Sequence, residues 1–197
     1  MEFIAHRINT IDQLRNIPKK CGIEIDLRDH SGNIILQHDP FIKGEDFESF
    51  LKQYNHGTLI LNIKSERIEF RVLELIKKYN IKNYFFLDSS FPMIDQLIKL
   101  GEDNISIRFS EYECLNTALD LKNKIKWLWV DCFNFFPINN LNYPKIKENG
   151  LKICLVSPEL HNRKNEIQSY IKIIQNNNYA IDAVCSKIEN HYNWSSL

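Results

Sequence analysis

The chain has 197 residues, and its shares of 44% apolar and 25% charged residues are ordinary for one globular domain with a sizeable core. Its 25 basic and 25 acidic side chains give a formal net charge of zero, which argues against nucleic acid as a partner. The N-terminus has no basic segment before a long apolar run, and no apolar run approaches about 18 residues. We therefore expect a cytoplasmic protein with no secretory signal and no transmembrane segment.

Short apolar runs alternate with amphipathic ones along the whole chain. Strands are predicted at residues 3–6, 22–28, 58–64, 83–88, 105–110, 126–131, 151–157 and 180–186, with a further extended piece at 33–39. Helices are predicted at about 10–17, 46–55, 66–79, 91–100, 113–123, 140–148 and 163–176. Eight strands alternating with seven helices predict an α/β fold with a parallel sheet. The count favours a compact (β/α)8 TIM barrel as a single domain over residues 1–197, with a stub or missing eighth helix.

The cysteines indicate a reducing environment. They are odd in number, widely spread and contain no C-x-x-C motif: Cys21, Cys114, Cys132, Cys154 and Cys185. We expect all five to be reduced, buried thiols.

Polar side chains gather at the predicted carboxyl ends of the strands, where a TIM barrel carries its active site. Because side chains alternate along a strand, Glu24, Asp26 and Arg28 share one face of the second strand. The other polar residues at strand ends are His6, Arg7, Asn62, Lys64, Asp88, Arg108, Ser110, Glu111, Asp131, Ser157, Glu159, Ser186 and Lys187. Packing alone does not explain such a set.

Two carboxylates confined on one face either share a proton or hold a cation. Glu24 and Asp26 offer the hard oxygen ligands that suit Mg²⁺ or Ca²⁺. The alternative is that Arg28 and Lys64 neutralise both acids in a salt-bridge network.

His6 and His38 are predicted to lie near these carboxylates, where they could serve as base and acid across a bound phosphate. Each could equally be a hydrogen-bonded structural histidine. Asp39 either orients His38 or begins a turn with Pro40. The remaining histidines show no zinc-site spacing: His30, His56, His161 and His191.

Several cations accompany these acids, namely Arg7, Arg28, Lys64 and Arg108. They predict either an anionic, phosphate-bearing substrate or simple charge balance. The chain contains neither a P-loop nor a G-x-G-x-x-G motif, so nucleotide binding of those kinds is not indicated. Phe91 and the "FNFFP" stretch could line a pocket or pack within loops.

The strings "AHR", "EID" and "HD", in this order and spacing, resemble the glycerophosphodiester phosphodiesterase family. That family belongs to the phosphatidylinositol phospholipase C-like barrels, which include sphingomyelinase D enzymes. "NIK" falls where the family has E-x-K, and "AIDAVCSK" is similar to its closing V-D-G-I-x-T-D. The resemblance implies catalytic roles for His6 and His38, metal ligation by Glu24, Asp26 and Asn62, and phosphate-facing cations at Arg7 and Lys64.

The implied reaction is divalent-cation-dependent hydrolysis of a small glycerophosphodiester. The sequence departs from the family pattern at Ile8, where glycine is usual, at Asn62, where an acid is usual, and in a shortened insertion after "HD". Two rival functions therefore stay open: a non-catalytic barrel that binds a phosphorylated ligand, and a lyase or transferase that forms a cyclic phosphate. The pattern specifies neither the head group nor the oligomeric state.

Overall fold

The computed structural model describes all 197 residues, and they divide into two compact units. The first unit is residues 5–101, and the second unit is residues 1–4 together with 102–197. In chain order the strands and helices are β1 (Glu2–Ala5), α1 (Ile11–Arg15), β2 (Gly22–His30), β3 (Asn33–Leu36), β4 (Glu45–Asp46), α2 (Phe47–Leu51), β5 (Leu59–Ile63), α3 (Glu69–Lys78), β6 (Tyr84–Leu87), α4 (Phe91–Lys99), β7 (Ser106–Phe109), α5 (Leu115–Asp120), β8 (Trp127–Val130), α6 (Tyr143–Glu148), β9 (Lys152–Val156), α7 (Ile167–Asn176), β10 (Ala183–Ser186) and α8 (His191–Trp194).

The first unit is built on β2, which pairs in parallel with β5, while β5 pairs in parallel with β6. Beyond Leu27 the chain continues to His30, turns at Ser31 and Gly32 with φ angles of 50° and 80°, and returns as antiparallel β3. Gly32 fits this left-handed turn because it has no Cβ to clash. The short β4 adds to the β3 edge. This hairpin brings the chain after β3 back beside the middle of β2.

Helices of the first unit bury one apolar face each, as their 3.6-residue periodicity predicts. In α3 the buried side chains include Val72, Leu73 and Ile76. Helix α1 begins with a capping box in which Thr10 and Gln13 satisfy each other's backbone N–H groups. That cap fixes the short turn that leads out of β1.

The second unit carries strands in the order β1, β10, β9, β8, β7, and the pairs from β10 to β7 are parallel. Its α8 is only four residues long, so the predicted stub of an eighth helix is confirmed. Trp194 of α8 is 1% exposed, and its indole N–H donates to Ser157 Oγ at 3.0 Å. One buried indole thus anchors the end of the chain.

The alternation of strands and helices is confirmed, with a mostly parallel sheet. Strand β4 was not predicted, since residue 46 was expected in a helix, and β3 ends at Leu36 rather than at 39. The prediction of five buried cysteines is wrong for Cys114, which is exposed because it precedes α5 at the surface, while the other four are buried. Closure into a barrel and a single domain stay predictions. No helix is both long and apolar enough to cross a bilayer.

Candidate active site

Two carboxylates lie buried on the central strand of the first unit. Glu24 and Asp26 of β2 are each 1% exposed, and the β2–β5 register sets Asp26 opposite Asn62. The Asn62 amide donates from Nδ2 to Glu24 Oε1 at 2.8 Å and to Asp26 Oδ1 at 3.3 Å. The three side chains that the sequence suggested as metal ligands therefore form one cluster.

The two carboxylates of this cluster repel each other electrostatically. Burial, followed by the charge of Asp26, raises the pKa of Glu24 to about 7, against the lowering effects of Asn62, the Arg7 backbone N–H and Lys64. Glu24 is therefore only partly ionised at neutral pH, and a cation bound beside it would favour its charged form.

The donor set fits a divalent cation. Asn62 Oδ1 is buried and has no hydrogen-bond partner, although buried oxygens are normally satisfied. Rotating the Asn62 amide by about 180° would exchange the positions of Nδ2 and Oδ1. A neutral oxygen would then lie beside the two carboxylates. Such oxygen ligands are what Mg²⁺ and Ca²⁺ prefer. No group of three or more His, Cys, Asp or Glu side chains is arranged to bind a metal, so a cation held here would need Asn62 as its third ligand.

The turn after β1 fastens onto both carboxylates. The backbone N–H of Arg7, a residue with φ of 56°, donates to Glu24 Oε2 at 2.7 Å, and Arg7 Nε lies 3.6 Å from Asp26 Oδ2. Asn9 pairs with Asp26 twice, donating to Oδ2 at 2.8 Å and accepting from the Asp26 N–H at 2.9 Å. Sequence analysis missed Asn9, because nothing in "HRINT" distinguishes it from a residue that precedes a helix cap.

His6 lies beside the carboxylate pair, and both predicted histidines remain partly exposed. His6 Nε2 lies 3.8 Å from Glu24 Oε2, and the two histidine side chains are 21% and 37% exposed respectively. The Gln37 N–H donates to the Asp26 carbonyl at 2.9 Å, which sets His38 beside the strand that carries the acids. His38 Nδ1 contacts Asp39 Oδ1 at 2.8 Å. A carboxylate at one ring nitrogen orients the imidazole and leaves Nε2 for other partners.

The predicted cations of the first unit differ in availability. Arg28 donates from Nε and Nη2 to the His38 carbonyl at 3.1 and 2.8 Å, and from Nη1 to the Lys64 carbonyl at 3.1 Å. Its guanidinium thus holds the backbone next to His38. Lys64 Nζ lies 3.8 Å from Asp26 Oδ1 and 3.3 Å from Asp88 Oδ2, which joins Asp88 to the cluster.

Three further predicted residues, Arg108, Glu111 and Asp131, belong to the second unit. Arg108 and His161 both contact the Asp131 carboxylate, the latter through Nε2 at 2.6 Å. Glu111 accepts from the backbone N–H groups of Phe133 and Asn134. No sequence pattern indicated His161, because it is 30 residues from Asp131 in the chain.

The other polar strand ends of the second unit have a structural explanation. Glu159 accepts from Ser157, from Ser186 Oγ at 2.5 Å and from the Lys187 N–H at 3.1 Å. In the "FNFFP" stretch, Phe135 is exposed, whereas Phe136 lies edge-on against Tyr170. The Glu159 hydrogen bonds connect the ends of β9 and β10 to the loops that follow them.

The raised pKa of Glu24 predicts how the metal-free protein responds to pH. Because the folded-state pKa exceeds the unfolded value of 4.5, the extra stability is fully present below pH 4.5 and is lost as the pH rises to about 7. In EDTA, the free energy of unfolding of the wild type should fall relative to that of Glu24→Gln by roughly 3 kcal/mol over this window. Urea titrations at several pH values measure the free energy of unfolding of both proteins. If this free energy changes with pH to the same extent in both, the prediction is contradicted.

Comparison with known proteins agrees with this architecture. No family model matches the sequence, and no curated protein matches it. Among solved structures, the crystal structure of a glycerophosphodiester phosphodiesterase from Agrobacterium tumefaciens str. C58 superposes with a TM-score of 0.67 at 11% identity, covering 95% of this chain and 97% of that one. The chain therefore shares the fold of a glycerophosphodiester phosphodiesterase. The resemblance noted in the sequence motifs is confirmed at the level of fold.

Proposed function

We propose that this protein is a metal-dependent phosphodiesterase that hydrolyses a glycerophosphodiester-like substrate at the Glu24–Asp26–Asn62 cluster. The observation that carries the proposal is a buried carboxylate pair with an orphaned amide oxygen and the partly exposed His6 3.8 Å from Glu24. The shared fold of a glycerophosphodiester phosphodiesterase supports it. Burying two carboxylates side by side is costly, and acids perturbed in this way cluster at functional sites.

The cluster would hold Mg²⁺ or Ca²⁺ through Glu24, Asp26 and Asn62. When bound, the cation would polarise a phosphate oxygen of the substrate. Asn9 and the Arg7 N–H keep both carboxylates oriented, since each is bonded to a fixed atom of the turn after β1. Supporting bonds of this kind are typical of metal-ligand carboxylates.

His6 and His38 would perform the proton transfers. One removes a proton from water as it attacks phosphorus, and the other donates a proton to the alkoxide that leaves when the P–O bond breaks. The Asp39 contact at Nδ1 directs His38 Nε2 to this task. The products are then a phosphomonoester and a free alcohol.

The cations divide into two roles in this proposal. Lys64 and Arg7 would contact phosphate oxygens, because both side chains lie at the edge of the carboxylate cluster. Arg28 would position His38 instead, since its guanidinium is committed to two backbone carbonyls. The phosphate role suggested for Arg108 stays a prediction, and its guanidinium is held by Asp131.

Asn62→Asp should tighten metal binding in the absence of substrate. Aspartate adds a third anion where the wild type has a neutral amide, and ligand charge raises affinity for hard cations. Calorimetric titration of Mg²⁺, Mn²⁺ and Ca²⁺ into wild type, Asn62→Asp and Asn62→Ala should give the strongest binding to Asn62→Asp and the weakest to Asn62→Ala. Equal affinities in all three proteins would remove Asn62 from the ligand set and make Asp88 the next candidate.

The reaction product separates hydrolysis from its rivals. Phosphorus NMR of glycerophosphocholine incubated with the protein and Mg²⁺ or Ca²⁺ should show a phosphomonoester forming. A cyclic phosphate would instead identify a lyase. Unchanged substrate that nevertheless binds the protein would identify a non-catalytic phosphate-binding protein.

A further inference from the structure

The loop that begins at His38 carries an exposed apolar tip. Phe41 is 99% exposed and Ile42 is 52% exposed, and they follow one another directly after Pro40. Phe41 has a φ of 64°, a left-handed conformation that costs a non-glycine residue about 1 kcal/mol or more. The fold gains no burial from Phe41 and only partial burial from Ile42, although single exposed apolar residues elsewhere are ordinary.

The base of this loop is fixed while its tip projects. Gln37 Nε2 donates to the Lys43 carbonyl at 3.3 Å, and the Asp39 N–H donates to Gln37 Oε1 at 3.2 Å. A Cβ added at Gly44 would clash with the Leu36 carbonyl oxygen, so the chain passes tightly against the end of β3. The tip is therefore presented by an anchored loop, a few residues from His38.

The size of the tip indicates what it contacts. Two side chains supply far less than the roughly 800 Å² per partner of a stable protein interface. Insertion into a lipid surface needs no complementary shape, and its strength grows with each apolar side chain buried. The exposed Lys43 follows the tip and suits lipid phosphates.

We propose that Phe41 and Ile42 insert into a lipid surface, and that the substrate class is a glycerophospholipid presented in a micelle or bilayer. This substrate assignment rests on the proposed phosphodiesterase function, whereas the lipid contact does not. The cleaved bond joins the phosphate to a polar head group, which lies at the interface where the tip would hold His38.

Vesicle binding tests the contact without relying on catalysis. Sedimentation with phosphatidylcholine vesicles should show the wild type binding, and Phe41→Ser with Ile42→Ser weakening that binding about 10- to 100-fold. The matched control is Leu100→Ser, a change at a residue that is 68% exposed at the end of α4, which should bind like wild type. The proposal is overturned if the wild type does not bind vesicles, or if the double variant binds them as well as the wild type does.

The substrate class is tested by comparing two phosphodiesters that share a head group. The double variant should lower the ratio of turnover on micellar lysophosphatidylcholine to turnover on monomeric glycerophosphocholine about tenfold or more, and Leu100→Ser should not change it. An equal ratio in all three proteins, with turnover present, overturns the substrate assignment alone. Vesicle binding that depends on the tip without turnover on either substrate supports the lipid contact and contradicts the phosphodiesterase function.

Discussion

Glu24→Gln is expected to lower phosphodiester hydrolysis by about 10³-fold, the upper range for losing one electrostatic group at an active site. Glutamine keeps the size of the side chain and can still accept the Arg7 N–H, so the turn after β1 should stay in place. It removes one of two anions from a cluster whose third member is a neutral amide. Cation binding should therefore weaken together with turnover.

The control for this substitution is Glu74→Gln, an exposed acid on α3 whose loss should leave turnover unchanged. Turnover with a synthetic diester and Mg²⁺ calorimetry should be measured on all three proteins. The folded state of Glu24→Gln should persist, because the substitution removes a buried charge whose pKa is already raised. Full turnover by Glu24→Gln in EDTA would contradict the proposed metal site.

His6→Ala and His38→Ala are each expected to reduce turnover about 10²- to 10⁴-fold, the range for losing a general acid or base. Both side chains are partly exposed, so truncation should cost little stability. Metal affinity should be kept, since neither histidine belongs to the proposed ligand set. His30→Ala, at the end of β2, is the control that should retain turnover.

The pH profile of turnover adds a check on these two histidines. Asp39→Asn should disturb His38 through its Nδ1 contact and shift the profile, while leaving metal affinity intact. If both alanine variants instead melt well below the wild type and their remaining turnover follows the folded fraction, the histidines are structural.

The sequence predicted most of the parallel sheet and the membership of the carboxylate cluster. Period-two alternation in "GIEIDLR" is a local signal, and it is sufficient to place Glu24 and Asp26 on the same face of one strand. The Asp26–Asn62 contact spans 36 residues, and it was predicted because successive parallel strands of an α/β fold usually lie side by side. These features follow from local alternation and from a general rule of chain connection.

The features that the sequence did not predict depend on long-range contacts. The hydrogen bonds from the Arg28 guanidinium to the His38 carbonyl were not predicted, because they depend on the hairpin that returns His38 to β2, and the phosphate role of Arg28 stays a prediction. Asn9 and His161 became visible only through partners 17 and 30 residues away. Side-chain hydrogen bonds across such separations have no periodicity in the chain.

The most direct measurement is alcohol release from bis(p-nitrophenyl) phosphate by EDTA-treated protein, before and after Mg²⁺ or Ca²⁺ is added back. Asp26→Asn should be assayed beside the wild type at matched concentration. A metal-dependent phosphodiesterase at this cluster predicts no release in EDTA, recovery with metal in the wild type, and no recovery in Asp26→Asn. Sustained release by both proteins in EDTA would contradict it.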